Sequence, residues 1–250
     1  MEISELLKIA EETALKAGER LTHIHNRRVN SDAGNDVKLQ EDVESELFIR
    51  DLLAPTNIPV IGEEKGGDAS LMNGDELYWV VDPIDGTYNF LRSMPGVCVS
   101  IGLMRGMKPV CGAICDFTRG ELFSGAKELG LFINSQKTTP KWAREVAQGV
   151  IMTGFPSNTD YSDENMKLFI KRMQKFKKVR MCGSAALAIA WVAAGRADCY
   201  DERRINLWDV AAGLAIIEGA GGVWKSESAG LKGKPMSLNV QAAASEEFYV

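Results

Sequence analysis

Histidine is almost absent from this 250-residue chain, and its scarcity narrows the chemistry that the protein can perform. The two histidines, His23 and His25, both fall in the first predicted helix. A Ser-His-Asp triad would have to use one of them, and no Gly-x-Ser-x-Gly motif supplies a nucleophile. We therefore expect carboxylates, hydroxyls and metal ions to be the reactive groups of any catalytic site.

Other absences exclude several classes of protein. No apolar run approaches the roughly 20 residues that span a membrane, and the acidic N-terminus lacks the basic start of a secretion signal. A net charge of -5 leaves no basic surface for nucleic acid. The five cysteines form no Cys-x-x-Cys pair, so we expect reduced core thiols rather than disulfides or zinc ligands. The composition thus indicates a globular cytoplasmic protein that binds neither nucleic acid nor a membrane.

Hydrophobic periodicity predicts helices and strands in a chain long enough for one large domain or two packed halves. After two helices the first half is mainly strands, whereas the second half alternates strands and helices, which indicates stacked α and β layers. The predicted helices are 2–26, 42–54, 162–175, 184–194 and 209–219, the predicted strands are 60–61, 78–81, 97–104, 109–116, 121–124, 129–134, 149–153, 177–181, 197–201 and 222–225, and 27–37 and 65–76 are predicted loops.

Residues 82–87, with the sequence Asp-Pro-Ile-Asp-Gly-Thr, contain the most chemical information. They follow a predicted buried strand, so the carboxylates of Asp82 and Asp85 lie at the end of a rigid element. Gly86 allows the backbone to approach a ligand closely, and Thr87 begins a short predicted helix with free N–H groups. This segment offers oxygen ligands for a hard cation and donors for an anion.

Other acidic and hydroxyl residues stand at the ends of predicted elements, and each has a simple explanation when it is considered alone. Adjacent Glu63 and Glu64 are typical of a solvated surface. Asp42 and Asp209 begin helices, where a carboxylate caps free N–H groups and is stabilised by the helix dipole. Ser184 is likewise a natural first residue for an apolar helix.

Together these positions favour a shared site. Glu63, Asp82 and Asp209 all lie where one element hands over to the next, which is where sites form in layered α/β proteins. If they and Asp85 converge, their charges repel one another, and divalent cations are the natural counter-charge. A donor set made only of oxygen favours Mg²⁺ or Mn²⁺ over zinc.

Three motifs resemble those of the inositol monophosphatase family. They occupy 61–64, 79–87 and 208–213 in this order, and the similarity extends over nearly the whole chain. The family belongs to a superfamily of lithium-sensitive, Mg²⁺-dependent sugar phosphatases. The resemblance implies an α/β (α+β) fold built as a layered αβαβα sandwich. Its N-terminal half, 1–140, would hold most metal ligands, and its C-terminal half, 141–250, would supply the remaining ligand and the substrate contacts.

The resemblance also implies a mechanism. Two or three Mg²⁺ ions, or Mn²⁺, would bind in each active site, and a metal-activated water would attack a small phosphorylated polyol or sugar, with inositol monophosphate as the first choice. Glu63 and the paired Thr87 and Asp42 would form the catalytic group that orients this water. The implied metal ligands are Glu63, Asp82, the Ile84 carbonyl, Asp85 and Asp209, the implied substrate contacts are Asp85, Gly86, Thr87, Gly183, Ser184, Ala185 and Glu202, and Glu64 is a supporting acid behind them.

Two departures from the family pattern affect the edge of the predicted site. Leu39 stands where the family often has threonine, which bears on the outer rim and a third metal rather than on the two-metal core. Arg203 and Arg204 follow Glu202, where simple inositol phosphatases tend to have apolar or small residues. These arginines are either ordinary surface residues or contacts for a second anionic group on the substrate.

Several alternatives stay open at this point. The same chemistry would serve fructose-1,6-bisphosphate, histidinol phosphate or 3'-phosphoadenosine-5'-phosphate. A regulatory binding protein that retains the fold is an alternative of a different class. The resemblance also implies a homodimer, for which the apolar strand region 97–115 is a candidate interface.

Overall fold

The structure, a computed structural model, describes residues 1–34, 36–157 and 159–250. These form six α-helices and fourteen strands. The helices are α1 (Ile3–Thr22), α2 (Gln40–Leu53), α3 (Thr87–Leu91), α4 (Asp163–Met173), α5 (Ala185–Ala193) and α6 (Leu207–Gly219). The strands are β1 (Val29–Ala33), β2 (Asp36–Leu39), β3 (Val60–Gly62), β4 (Leu77–Asp85), β5 (Cys98–Arg105), β6 (Lys108–Asp116), β7 (Glu121–Ala126), β8 (Gly130–Ile133), β9 (Gln136–Thr138), β10 (Val150–Thr153), β11 (Lys178–Arg180), β12 (Cys199–Asn206), β13 (Val223–Ser228) and β14 (Ser237–Ala243).

A seven-stranded sheet forms the first β layer, with its strands in sequence order from β3 to β9. Its strands pair antiparallel except for the parallel pair β3 and β4. Side chains alternate across it, as in any strand: Trp79 and Val81 of β4 pack with the α1 and α2 side, whereas Tyr78 and Val80 face the opposite core. The apolar stripe of α1, which includes Leu6 and Ala10, closes the outer face.

The helices α5 and α6 form the central layer. They are apolar all round because they lie between the seven-stranded sheet and a second sheet of order β11-β10-β12-β14-β13. On the outer face of that second sheet, Met173 of α4 and Phe176 pack against Ile151, Cys199 and Ala243. The layers therefore follow the order αβαβα, which confirms the expected sandwich.

Two glycines bring α6 unusually close to the seven-stranded sheet. A Cβ on Gly102 of β5 would lie 2.7 Å from the Ala212 backbone nitrogen, and a Cβ on Gly112 of β6 would lie 2.6 Å from the Ala212 Cα. Only glycine permits this approach of helix to strand. The contact fixes α6, and with it Asp209 in the first turn, against the strands that follow β4.

Some elements differ from the sequence-based prediction. The predicted loop 27–37 contains β1 and the start of β2, which pair as a hairpin, although Asn35 lies outside the described residues. Most residues of this segment are polar, and those whose side chains the structure describes are largely exposed, so they give no alternating hydrophobic signal. The helix α1 ends at Thr22, and both histidines therefore follow it. The strand β14 was not predicted, although it pairs with both β12 and β13 inside the second sheet.

Other sequence-based expectations concern compartment and domain organisation. No helix in the described ranges is long and apolar enough to cross a bilayer. All five cysteines are free thiols, and four of them are buried. The strands of the large sheet fall within 60–138 and those of the second sheet within 150–243. The division into halves at residue 140 stays a prediction, because both sheets share the core that surrounds α5 and α6.

Candidate metal and phosphate site

An irregularity in β4 brings two aspartates together. The strand continues through the predicted turn to Asp85, and its pairing with β5 shifts register between Asp82 and Asp85. In a regular strand these residues, three apart, would point to opposite faces, whereas an extra residue in the ladder re-aims one of them. Pro83 occupies the irregular stretch, the position in a sheet that tolerates a missing N–H. Both carboxylates are buried.

A third aspartate reaches the same place from α6. One carboxylate oxygen of each of Asp82, Asp85 and Asp209 lies within 4.8 Å of the others. Asp209 also caps its helix, since its Oδ2 accepts from the Asn206 N–H at 2.9 Å. The Asp209 carboxylate therefore both caps α6 and belongs to the cluster.

Glu63 joins this cluster from the position that follows β3. The turn that presents Glu63 is held by Glu46, which the sequence analysis did not identify. The buried Glu46 of α2 accepts from the backbone N–H of Glu64 at 2.6 Å and of Lys65 at 3.2 Å. Gly62 makes room for it, because a Cβ there would lie 2.5 Å from the Glu46 carboxyl carbon. The sequence signal was an acid on the apolar face of a predicted helix, where a carboxylate requires a partner.

Arg50 completes this arrangement and links the turn to the helix. Its Nε donates to Glu46 at 2.8 Å, and its terminal nitrogens donate to the carbonyls of Val60 at 3.2 Å and Gly66 at 2.7 Å. Glu64, predicted as a supporting acid, pairs with Lys38 at 3.0 Å. Hydrogen bonds from α2 thus hold the loop that presents Glu63 on both sides of this residue.

Asp42 and Thr87, which the family resemblance pairs, lie at the outer limit of hydrogen-bonding distance. The Thr87 hydroxyl lies 3.5 Å from Asp42 Oδ1 and makes a shorter bond, 3.0 Å, to the Ile84 carbonyl. The other Asp42 oxygen accepts from the Leu39 N–H at 2.8 Å. Leu39 is buried at the start of α2. Because leucine stands where the family often has threonine, this position offers no hydroxyl.

The start of α5 approaches Asp85 from the second half of the chain. The Oδ2 atom of Asp85 accepts from the Ser184 hydroxyl and from the Ala186 N–H, each at 2.6 Å. Ser184 also caps α5 by accepting from the Leu187 N–H at 3.2 Å. Gly86 has φ 92° and passes close to Gly183, whose oxygen a Cβ would approach to 3.3 Å.

The predicted substrate contacts line one cavity of about 250 Å³. Two of the three clustered aspartates, Asp85 and Asp209, also form part of its wall. Glu202 forms part of this wall and is buried, with only 8% of its surface exposed. The cavity is lined, among others, by Glu63, Asp85, Gly86, Thr87, Gly183, Ser184, Ala185, Glu202, Arg204 and Asp209.

Burial raises the pKa of every carboxyl in the cluster, and repulsion from neighbouring carboxylates raises the pKa values of Glu63, Asp82 and Asp209 further. Burial, followed by the charge of Asp85, raises the pKa of Asp209 to about 7. Burial raises the pKa of Asp85 to about 6, although hydrogen bonds from Ser184 and Ala186 partly offset it. The pKa values of Asp82 and Glu63 are raised well above their usual range, by burial and then by Glu63 and Asp209 respectively. Protein atoms alone therefore do not balance these charges.

Divalent cations fit this arrangement. The donor set consists of carboxylate oxygens, with the Ile84 carbonyl adjacent, and contains neither sulfur nor imidazole among the described residues. Hard cations such as Mg²⁺ and Mn²⁺ prefer such oxygen ligands. The raised pKa values also favour cation binding, since the cluster lacks the positive charge that would keep it ionised.

Comparisons with known proteins identify the family of this chain. The model of the inositol monophosphatase family matches residues 2–248. The Nus factor SuhB of Xylella fastidiosa is 37% identical over 164 residues, which are 65% of this chain and 58% of that protein. The inositol-1-monophosphatase of Mycobacterium bovis is 35% identical over 188 residues, which are 72% of this chain and 65% of that protein. These alignments thus span less than two thirds of either relative.

A solved structure is similar over a greater length. The inositol monophosphatase of Anabaena (Nostoc) sp. PCC 7120 superposes with a TM-score of 0.82 at 32% identity. The match covers 99% of this chain and 94% of that one. The layered fold and its connections are therefore shared across the whole length.

We expect Glu46→Gln to destabilise the protein and to weaken its binding of divalent cations. The amide cannot accept from two backbone N–H groups and Arg50 as the carboxylate does, so a loss of about 2 kcal/mol in unfolding free energy is expected. Glu44→Gln is the matched control, because Glu44 lies on the same helix with 37% of its side chain exposed. Equal effects of the two changes on Mn²⁺ affinity would contradict the positioning role.

We expect the metal-free protein to lose stability as the pH rises from about 4 to 7. The pKa values of Asp42, Asp85 and Asp209 are about 7, 6 and 7, above the ordinary 3.8, so the folded state binds more protons in this window. Stability therefore falls with rising pH, and added Mg²⁺ should restore it most above pH 7. Thermal unfolding in EDTA at several pH values measures this. A melting temperature that rises steadily through the window would contradict it.

Proposed function

The chain belongs to the inositol monophosphatase family, and on that basis we propose that it is a metal-dependent phosphomonoesterase. Its substrate would be a small phosphorylated polyol or sugar, with inositol monophosphate as the first choice. The observation that supports this proposal most directly is the convergence of Asp82, Asp85 and Asp209 within 4.8 Å at the edge of a cavity.

The chain's own residues divide the work in this proposal. Glu63, Asp82, the Ile84 carbonyl, Asp85 and Asp209 would hold two or three cations. Bound cations would lower the pKa of a water molecule and neutralise the phosphate oxygens. The proposed metals are Mg²⁺ or Mn²⁺, and sensitivity to lithium belongs to the same proposal.

The phosphate and the attacking water would bind beside the start of α3. The backbone N–H groups of Gly86 and Thr87 would donate to phosphate oxygens, aided by the open backbone at Gly86. The Thr87 hydroxyl donates a hydrogen bond to the Ile84 carbonyl or to Asp42, which leaves its oxygen lone pairs to accept from a water. Asp42 then holds the hydroxyl in the orientation that places this water in line with the ester bond.

The alcohol portion of the substrate would lie against the second half of the chain. Ser184 and the neighbouring Gly183 and Ala185 line the cavity beside Asp85, and Glu202 lines its far side. Asp85 is fixed by Ser184 and Ala186, so it can accept from a substrate hydroxyl without reorganising. These contacts would orient a polyol while they leave its phosphate at the carboxylate cluster.

Assembly and location complete the proposal. We infer a homodimer from the family resemblance, with the strand region 97–115 as the candidate interface. A cytoplasmic location is supported by the five free thiols, which suit a reducing compartment.

A regulatory role is a second candidate, since one relative at 37% identity is named a Nus factor. Such a protein would retain the fold for contact with a partner rather than for hydrolysis. The presence of every proposed ligand in the described residues favours the enzyme. The two roles are separable, because removal of one ligand abolishes hydrolysis without changing the outer surface.

Asp85→Asn should lower the rate of Mg²⁺-dependent phosphate release by at least about 100-fold. The panel would include inositol 1-phosphate, fructose-1,6-bisphosphate, histidinol phosphate and 3'-phosphoadenosine-5'-phosphate, each with Mg²⁺, with EDTA and with added lithium. Asp51→Asn, at an exposed position of α2, is the control and should retain full activity.

Two results would count against the enzyme. Absence of phosphate release from every ester in the presence of Mg²⁺ would remove the proposed activity. Full biological function of Asp85→Asn, combined with loss of hydrolysis, would favour the regulatory role instead.

A further inference from the structure

The strand β5 runs beside β4 where the clustered aspartates lie, and it supplies one neighbour to each of the two β4 aspartates. Cys98 pairs with Asp85, and Ser100 pairs with Asp82. Residues directly opposite each other in an antiparallel pair point to the same face of the sheet, with Cβ atoms about 5 Å apart. The Ser100 side chain therefore lies beside that of Asp82, on the face where the cluster forms.

Helix α6 covers the next position on the same face of β5. Side chains alternate along a strand, so Ser100 shares its face with Gly102. A Cβ on Gly102 would lie 2.7 Å from the Ala212 backbone nitrogen. Asp209 precedes Ala212 in the same helix by about one turn. Ser100 is thus bordered by β4 within the sheet and by the start of α6 above it, next to the cluster.

Cys98 shows which contact this geometry permits. Its Sγ lies 3.8 Å from the Asp85 Oδ2 atom and 3.7 Å from the Ser184 Oγ atom. The residue opposite one clustered aspartate therefore contacts that carboxylate. Ser100 has the same relation to Asp82, and a hydroxyl is a stronger donor than a thiol, so a contact of the same kind is expected there.

The Ser100 hydroxyl nevertheless has no hydrogen-bond partner among the described residues, although its side chain is completely buried. A buried hydroxyl without a partner costs free energy, and such a group in a native protein indicates that a bound ion, water or ligand completes its surroundings. One Asp82 oxygen accepts from the Ile84 N–H at 3.0 Å. The Ser100 Oγ atom can rotate among staggered positions, and a Cβ separation of about 5 Å is short enough for it to reach the Asp82 carboxylate.

Packing alone does not account for serine at this position. Alanine would fill nearly the same space beneath α6 and would leave no unpaired donor. Ser124 of β7 provides a contrast, because it is buried in the same sheet but its hydroxyl donates to Glu11. The difference lies in the neighbours, since Ser124 has a partner in the folded chain and Ser100 lies beside the proposed cation site.

We propose that Ser100 is a positioning residue for the cation site, and that its hydroxyl donates to the Asp82 carboxylate when divalent cations are bound. This inference rests on the proposed function and extends it to a residue of β5, outside the motifs that carry the family resemblance. A donor behind a ligating carboxylate fixes the direction of that carboxylate, and loss of such a partner weakens metal binding by about 10- to 100-fold. Ser100 would thereby raise the affinity of the site for cations.

The first test is the melting temperature of Ser100→Ala, measured in EDTA and in Mg²⁺. In EDTA the change removes an unpaired hydroxyl, so the variant should melt no lower than the unaltered protein. With Mg²⁺ in excess, a loss of about tenfold in affinity should make the Mg²⁺-induced rise in melting temperature smaller by about 3 to 6 °C. A purely structural role would change both temperatures alike.

The second test measures cation affinity directly, by calorimetric titration of the metal-free protein with Mn²⁺ alone. We expect the dissociation constant of Ser100→Ala to be at least about tenfold higher than that of the unaltered protein. Phosphate release should then need about tenfold more Mg²⁺ to reach half of its maximal rate, while kcat at saturating Mg²⁺ falls by less than about threefold. This pattern separates cation affinity from the chemical step.

Ser124→Ala is the matched control. It removes a hydroxyl from the same sheet, but that hydroxyl has a partner on α1. The change should lower the melting temperature equally in EDTA and in Mg²⁺, and it should leave the Mn²⁺ dissociation constant unchanged.

The outcomes distinguish this inference from the proposed function. Equal Mn²⁺ affinity of Ser100→Ala and the unaltered protein would overturn the role of Ser100 and leave the phosphatase intact. A lower melting temperature of Ser100→Ala in EDTA, with the Mg²⁺-induced rise unchanged, would also overturn that role. Failure of the unaltered protein to bind Mn²⁺ would instead remove the proposed cation site itself.

Discussion

Repulsion among carboxylates that are buried together is the constraint on which the rest of this structure depends. Three of them lie within 4.8 Å of one another, and a fourth approaches from β3. A cluster like this opposes folding when it is ionised and unpaired. The αβαβα scaffold therefore has to hold it in place against its own charge until cations bind.

The scaffold does so with hydrogen bonds from the backbone. Asp82 accepts from the Ile84 N–H at 3.0 Å, Asp209 from Asn206, Asp85 from Ala186 and Asp42 from Leu39. In each case a backbone N–H holds one carboxylate oxygen in place. Caps and an irregular strand, which are ordinary features of element ends, thereby become the supports of the proposed metal site.

Much of this arrangement could be predicted from the sequence. The residue types at 82–87 and at Asp209 specify oxygen ligands at the ends of elements, and the structure brings them together. Glu46 was missed, because its role depends on a turn that reaches it from 18 residues further along the chain. The course of β4 through Pro83 was also missed, since proline usually ends a strand and only the pairing with β5 shows that this one continues.

Arg204 shows a second limit of sequence reasoning. The pattern at 202–204 left open whether the two arginines lie on the surface or in the site, since charge alone does not report direction. Its left-handed backbone and its place in the cavity wall are properties of the folded chain. The direction in which Arg204 points thus depends on long-range packing, which the local sequence does not report.

The most direct test of the central claim is the number of protons released when Mg²⁺ binds, measured by titration calorimetry in buffers of different ionisation enthalpy. With the pKa values of Asp85 and Asp209 near 6 and 7, binding should displace protons at pH 6 and displace fewer at pH 9. Magnesium binding at pH 6 with no release of protons would contradict a cluster whose carboxylates repel one another.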